Sequence, residues 1–180
     1  MGYHLAYPVS WLKQVTMPVL DIHEIAAGKL SALFDRKVSR DLYDTHQLLT
    51  NWDLNYEKLR IAFVLYIAMS KNKWQEITFD KIGYDVKDIK NRLIPVLHRG
   101  IIANHNYNEI EKWAIKIVNE CKEKLLLLLP FSSDEQIFLE LFQQKGMLKP
   151  ELICEDVTFC AKVKDHPLLR WRLTAIRQGL

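Results

Sequence analysis

The spacing of apolar residues changes after the first twenty positions. Residues 4–20 contain two short apolar or β-prone runs broken by Pro8 and Pro18, which predicts one or two strands. Two strands alone are marginal in water, so we expect them to pack on helices or on a further part of the protein. From Asp21 the apolar positions recur at helical spacing, and Asp21 followed by Glu24 is typical of a capping box. A helix is predicted to begin there.

This first helix is predicted to run through about Phe34, and a second occupies residues 40–49. Lys29 and Arg36 fall between apolar positions, so their stems should lie against apolar neighbours while their charged ends reach outward. Spacings of three and four residues place a set of side chains along one face of the second helix: Asp41, Asp44, Thr45 and Leu48. Both carboxylates are therefore predicted to point the same way.

Most of the remaining chain has helical patterns. Residues 61–69 are apolar all round, which favours a central buried helix, although their β-branched content leaves a strand open. Further helices are predicted at residues 85–99, 107–129, 132–145 and 166–178. Pro95 should kink or split the first of these, and Ser132 or Ser133 offers an N-cap.

The predicted fold class is therefore mainly α, a helical bundle with a short N-terminal β segment. We expect one domain over residues 1–180, with the strands in residues 1–20 and the bundle in residues 21–180. The length supports one substantial core. A strand segment and an apolar cleft left without a partner also make a homodimer an expectation.

Composition narrows the function classes. Charged residues make up 26% of the chain and the net charge is +3, which permits contact with nucleic acid without demanding it. Cys121, Cys154 and Cys160 form no Cys-x-x-Cys pair, which indicates reduced thiols in a cytoplasmic protein. The longest apolar runs, residues 61–69 and 125–129, are too short to span a bilayer, so no membrane partner is expected.

The residues best suited to bind a ligand or to take part in catalysis are the charged ones of the two N-terminal helices. Lys29 could clamp a phosphate, and Asp41 or Asp44 could accept a proton or hold a metal. On spacing alone the simpler interpretation is preferred, in which Lys29 and Arg36 pair with Asp41 and Asp44 across a helical hairpin.

Other candidates are weaker. His98, His105 and His166 lack the spacing of a helical metal pair, so no metal site is predicted. The basic stretch at residues 170–177 could meet RNA phosphates while Trp171 stacks on a base, but a core tryptophan beside a solvated basic face is the favoured interpretation.

Residues 27–36, Ala-Gly-Lys-Leu-Ser-Ala-Leu-Phe-Asp-Arg, and residues 40–44, Arg-Asp-Leu-Tyr-Asp, closely resemble the third and fourth motifs of the AbiEii/AbiGii family of nucleotidyltransferase toxins. Residues 128–142 and the ending from His166 look like its C-terminal helices. The resemblance implies a nucleotidyltransferase-like toxin of an abortive-infection or type IV toxin–antitoxin pair, whose complete relatives transfer nucleotides from an NTP, with Mg²⁺, to RNA ends. It also implies tRNA-like RNA and a cognate antitoxin as partners.

Carried over by motif, Lys29 would contact the phosphates of the incoming nucleotide, and Asp41 or Asp44 would be the acid of the fourth motif. Arg36 and Arg40 would support phosphate binding, and Tyr43 would pack between the helices. The motifs do not decide between the two aspartates.

The chain departs from the family in what its sequence lacks. The 180 residues contain no Gly-Gly, no Gly-Ser and no Asp-x-Asp, the motifs that would cradle phosphate and hold the metal. We therefore expect the C-terminal portion of such a toxin, inactive by itself. Gly28 replaces a larger helix former, which suggests drift. The alternatives are a non-catalytic helical module that binds RNA or a protein, and a decayed gene product.

Overall fold

The structure is a computed structural model that describes residues 2–6, 15–98, 100–102 and 106–179. Two residues discussed above, Pro8 and His105, lie outside the described part of the chain. Before the first helix, strands β1 (Gly2–Ala6) and β2 (Val15–Val19) pair in antiparallel register, with Gly2 opposite Val19 and Ala6 opposite Val15.

Helices make up most of the described chain, and the prediction of a mainly α fold is confirmed. The α-helices are α1 (Ile22–Arg36), α2 (Ser39–Asn51), α3 (Tyr56–Met69), α4 (Val86–Asp88), α5 (Tyr107–Leu125), α6 (Ser133–Lys145), α7 (Val157–Lys164) and α8 (Pro167–Arg177). Short 3-10 turns occupy Trp74–Glu76, Phe79–Lys81, Ile94–Val96 and Pro150–Leu152, and a π-helical turn occupies Ile89–Leu93. None of the helices in the described ranges is long and apolar enough to cross a bilayer.

Helix α3 is the centre of the main core, as the apolar run at residues 61–69 predicted. It packs against α1 on one side and against α6 and α8 on others. Its Phe63 is fully buried, with the ring of Phe34 from α1 at a centroid distance of 6.0 Å and that of Phe131 at 5.9 Å. A smaller apolar cluster joins α4 and the π-helical turn to α5 through Ile89 and Ile110.

Several helix ends differ from the prediction. Asp21 does cap α1, but without the predicted capping box with Glu24: its carboxylate accepts the backbone N–H of His23, at 2.9 Å, in place of that of Glu24. The helix expected at residues 85–99 is split into α4, the π turn and a 3-10 turn, because Pro95 cannot continue an α-helical hydrogen-bond pattern. Helix α5 ends at Leu125, earlier than predicted.

Of the two predicted N-caps of α6, Ser132 is the one in the structure, and it forms a complete capping box with Glu135. Helix α7 was not predicted, because its eight residues are too few to display a helical period clearly. Its N-cap Asp156, whose side chain accepts the N–H of Phe159 at 2.9 Å, was the available signal.

An ion pair between the half-buried Arg60 and the buried Glu135 ties α3 to α6 and to the turn that precedes α6. Arg60 Nε donates to Glu135 Oε1 at 2.6 Å, and Arg60 Nη2 donates to Glu135 Oε2 at 2.7 Å. The same guanidinium donates to the carbonyl oxygens of Leu127 at 3.1 Å and Pro130 at 2.9 Å. Since Glu135 is buried, this pair replaces the water that both charges lose on folding.

We predict that Arg60→Ala lowers the free energy of unfolding by about 3 kcal/mol, because it leaves the buried Glu135 carboxylate without its cation. Chemical denaturation followed by circular dichroism measures the change. The control is Lys112→Ala, which removes an exposed pair with Glu109 and should leave stability almost unchanged. Equal losses in both variants would contradict the role given to Arg60.

Candidate functional site

The candidate site lies on the hairpin of α1 and α2, whose connection is only two residues long. Lys37 ends α1 in the left-handed conformation, with φ of 52°, and its N–H donates to the carbonyl oxygen of Leu33 at 3.3 Å. Val38 is extended and α2 begins at Ser39. A non-glycine residue rarely adopts this backbone angle, so tertiary contacts must stabilise the turn.

A bidentate ion pair spans this turn. Arg36 Nε donates to Asp41 Oδ2 at 3.0 Å, and Arg36 Nη2 donates to Asp41 Oδ1 at 2.8 Å. The Asp41 side chain is only 4% exposed, whereas that of Arg36 is 61% exposed. The carboxylate is therefore part of the interior, and the guanidinium covers it from the solvent side.

A second pair links the two helices farther from the turn. Lys29 Nζ donates to Asp44 Oδ2 at 2.7 Å, and the two side chains are 38% and 31% exposed. Both charges can therefore be reached from solvent. The structure thus contains the two pairings that the hairpin interpretation predicted, with the buried one at the turn and the accessible one beyond it.

Asp88 also supports this hairpin, and the sequence analysis did not find it. Val38 provides no side-chain cap for α2, and instead Asp88 Oδ2 of α4 accepts the N–H of Ser39 at 2.9 Å. The side chain of Ser39, followed by its backbone N–H, lowers the pKa of the Asp88 carboxyl below its usual value. Its stabilisation is present at neutral pH and is lost as the pH falls through the lowered pKa.

The opposite side of α2 is held by α5. The rings of Tyr43 and Trp113 stack at a centroid distance of 6.1 Å, so Tyr43 joins α2 to α5. His46 Nε2 and Glu120 Oε2 are 2.6 Å apart. Thr45 is buried among these contacts, and its hydroxyl has no hydrogen-bond partner in the described part of the chain.

The other candidate residues are placed apart from the hairpin or make no contact with its charges. Arg40 is exposed and forms no ion pair with the described residues. His98 and His166 do not join a cluster of three or more His, Cys, Asp or Glu side chains anywhere in the described ranges. Trp171 is 64% exposed on α8, so the interpretation as a core tryptophan is wrong; Leu169 and Leu173 fill the core instead.

The chain belongs to the AbiEii nucleotidyl transferase toxin family of type IV toxin–antitoxin systems, since the family model matches residues 3–120 of its 180 residues. The matched region contains the whole α1–α2 hairpin and ends within α5. Comparisons with curated proteins and with solved structures give no significant match. The resemblance seen in the C-terminal helices therefore stays an expectation.

The residues described here do not fit the divalent metal that the family implies. Asp41 is buried and both of its oxygens accept from Arg36, and Asp44 accepts from Lys29. No third acidic, histidine or cysteine ligand joins them within the described ranges. A Mg²⁺ ion requires several oxygen ligands around an open position, which this pair of engaged carboxylates does not offer.

Gly28 has a packing reason in this fold. A Cβ added there would lie 3.1 Å from Cε1 of the Tyr66 ring on α3, closer than most side-chain contacts. The glycine thus permits α1 to approach α3 closely. This close approach costs about 1 kcal/mol of helix propensity relative to alanine. This contact explains the substitution without drift.

The two carboxylates are expected to respond differently to neutralisation. Asp41→Asn should lower the free energy of unfolding by about 1–2 kcal/mol, since a buried charged acceptor of two hydrogen bonds is lost. Asp44→Asn should change it by less than about 0.5 kcal/mol, because that pair is partly exposed and screened by water. Urea denaturation of both variants checks the difference, and a larger loss for Asp44→Asn would reverse the assignment.

The packing role of Gly28 predicts an interaction between two substitutions. Gly28→Ala alone should give no gain in stability, because the new methyl group meets the Tyr66 ring. In a Tyr66→Ala background the same substitution should stabilise by about 1 kcal/mol, the full difference in helix propensity. A double-mutant cycle measures the coupling. An equal gain in both backgrounds would show that Tyr66 is not the constraint.

Proposed function

We propose that this chain carries the Lys29–Asp44 part of the nucleotide site of an AbiEii-type nucleotidyltransferase toxin. The observation that carries the proposal is the accessible ion pair between Lys29 and Asp44, 2.7 Å long, within the region that matches the family. The complete enzyme would take an NTP with Mg²⁺ and transfer a nucleotide to an RNA end. A cognate antitoxin would be its protein partner.

The exposed pair suits a site that must exchange partners. A lysine ammonium is a compact point charge that binds phosphate oxygens, and Lys29 is held in place by Asp44 until a phosphate competes for it. Once Lys29 turns to the phosphate, Asp44 becomes a free acceptor for a hydroxyl proton or a further ligand. Partial exposure keeps the free-energy cost of this exchange small, because neither charge leaves water completely.

The same reasoning separates the two candidate aspartates. Asp41 is buried and its oxygens are both engaged by Arg36, so a role for it in binding a ligand would require breaking the turn of the hairpin. We assign Asp44 as the acid of the fourth motif and Asp41 as its positioning residue. Arg40 is exposed at the start of α2 and forms no ion pair with the described residues, so it is available to a phosphate, whereas Arg36 is engaged at the turn.

The chain by itself is proposed to be inactive. A phosphoryl-transfer transition state develops negative charge that a metal ion normally neutralises, and the 180 residues contain neither the Asp-x-Asp pair nor the glycine turn for this purpose. A second polypeptide segment that supplies these groups would complete the site beside Lys29 and Asp44. In that arrangement the present chain is the C-terminal, mainly helical portion of the working enzyme.

Nucleotide binding tests the proposal directly. Titration calorimetry with ATP and, separately, CTP, GTP and UTP should detect weak binding that Lys29→Ala weakens about tenfold, a loss of about 1.4 kcal/mol. Lys149→Ala is the matched control, since Lys149 is an exposed lysine outside the hairpin, and it should bind as the wild type does. Equal weakening in both variants would show only a general effect of charge.

A turnover assay tests separately whether the chain by itself is inactive. Incubation of the chain with labelled NTP, Mg²⁺ and total tRNA should give no label in the RNA. Transfer of label by this chain alone would overturn the inactivity, and it would leave the assignment of Lys29 to be judged by the binding experiment.

The alternative function is a non-catalytic module that binds RNA, and one observation favours it. Trp171 is 64% exposed on α8, beside the exposed Arg170, and an exposed aromatic ring next to a cation is a stacking platform for single-stranded bases. In this case binding depends on α8 and not on the α1–α2 hairpin.

Salt-dependent binding of tRNA, measured by fluorescence anisotropy, distinguishes the two functions. The module function predicts that Trp171→Ala weakens binding about tenfold or more, while Lys29→Ala has no effect. The nucleotidyltransferase function predicts that Lys29→Ala weakens NTP binding, while Trp171→Ala has no effect on it. Leu168→Ala is the matched control, because it removes an exposed apolar side chain from the same helix without removing an aromatic ring.

A further inference from the structure

Two cysteines meet at the start of α7. Cys154 lies between the 3-10 turn Pro150–Leu152 and the N-cap Asp156, and Cys160 lies on α7 itself. Because side chains of a helix lean toward its N-terminus, Cys160 points back toward the segment that contains Cys154. Its Sγ donates to the carbonyl oxygen of Cys154 at 3.2 Å. The two thiol-bearing residues are therefore in direct contact.

The surroundings give the two thiols different access to solvent. Cys160 is only 8% exposed, whereas Cys154 is partly exposed. Cys154 lines a cleft of about 470 Å³ whose walls come from α1, α3, α7 and α8. Burial, together with the neighbouring Cys154 and Glu151, raises the pKa of the Cys160 thiol. A reagent in the cleft thus meets Cys154 first and Cys160 second.

We propose that Cys154 and Cys160 are a modification site for peroxides, at which they form a reversible intramolecular disulfide. The Cys154 thiol attacks the peroxide O–O bond, which yields a sulfenic acid on Cys154 and one water. The Cys160 sulfur then attacks the Cys154 sulfur and expels hydroxide, which takes the Cys160 proton and leaves as a second water. Two thiols are oxidised by two electrons, and hydrogen peroxide is reduced to two waters.

The geometry favours the disulfide between Cys154 and Cys160 over the other products that an oxidised cysteine can form. A disulfide requires two Cα atoms within roughly 4.4–6.8 Å of each other. The contact between the Cys160 sulfur and the backbone carbonyl of Cys154 brings the two residues together in the reduced protein, which favours reaching that range. The resolving thiol of Cys160 already contacts the residue that would carry the sulfenic acid, so condensation competes with further oxidation and with disulfides to other molecules. Such transient bridges are the form that redox-responsive thiols take in reducing compartments.

The bridge would act on the cleft. Three side chains of α7, Phe159, Lys162 and Val163, line it together with Cys154. A covalent link from α7 to the preceding segment would add to the contacts that hold this wall in the reduced form, which include the weak thiol hydrogen bond and the ion pair between Lys164 and Glu151. Oxidation would thus restrict the motion of one side of the cleft.

The third cysteine, Cys121, is an internal control for oxidation of the other two. Cys121 is completely buried on α5, and burial raises the pKa of its thiol to about 12. It lies outside the cleft and makes no sulfur contact with the other two cysteines among the described residues. Its thiol should remain reduced under conditions that oxidise the pair.

Mass spectrometry of the full chain tests the proposal. The reduced protein is treated with hydrogen peroxide and then denatured so that the buried Cys121 can react, free thiols are blocked with N-ethylmaleimide, and peptides are mapped without reduction. We expect a loss of two hydrogens, one blocked thiol per chain and a cross-linked peptide that contains Cys154 and Cys160. Dithiothreitol should restore three reactive thiols.

Variants separate this bridge from other oxidation. Cys154→Ser and Cys160→Ser should each abolish the cross-linked peptide, and Cys121→Ser should retain it; circular dichroism verifies that each variant is folded. The mapping of the wild type remains decisive if a variant fails to fold. A wild-type product that is a sulfinic acid or an intermolecular dimer, with no link between Cys154 and Cys160, would overturn the proposal.

Discussion

The burial of one carboxylate determines how the α1–α2 hairpin of this protein is arranged. Asp41 is almost inaccessible, so its charge must be compensated inside the fold, and the compensation comes from Arg36 across the two-residue turn between α1 and α2. Two parallel hydrogen bonds fix both distance and angle at the turn. They hold Lys37 in its left-handed conformation, and they set the spacing at which Lys29 and Asp44 meet farther along.

This arrangement divides the charged residues of the hairpin by accessibility. The pair at the turn is covered, so its disruption would mainly lower the free energy of unfolding. The pair of Lys29 and Asp44 contributes little to folding because water screens it, which leaves those side chains free to change partners. The same division explains why Asp88 and Tyr43 matter although neither was a candidate catalytic residue: they anchor α2 from outside the hairpin.

Periodicity and capping signals predicted the elements of this region because they are local. The capping signal at Asp21, the central helix at residues 61–69 and the capping box at Ser132 all depend on residues close in sequence. The hairpin pairing of Lys29 and Arg36 with the two aspartates also followed from helical spacing. Asp88 could not be found in this way, since its partner Ser39 is distant in sequence, and the exposure of Trp171 depends on which face of α8 meets α3 and α6. The roles of the site residues stay predictions.

Gly28 shows how a family pattern and a packing constraint can be confused. Compared with the family motif, the residue looks like a loss of helix propensity, and drift is the simplest explanation. In the fold it faces the Tyr66 ring at a distance that excludes a relaxed Cβ, so a larger residue there requires Tyr66 to move. Tyr66 in turn lines the cleft that contains Cys154. A larger side chain at Gly28 would therefore displace a residue of the cleft wall, because α1 and α3 approach each other closely there.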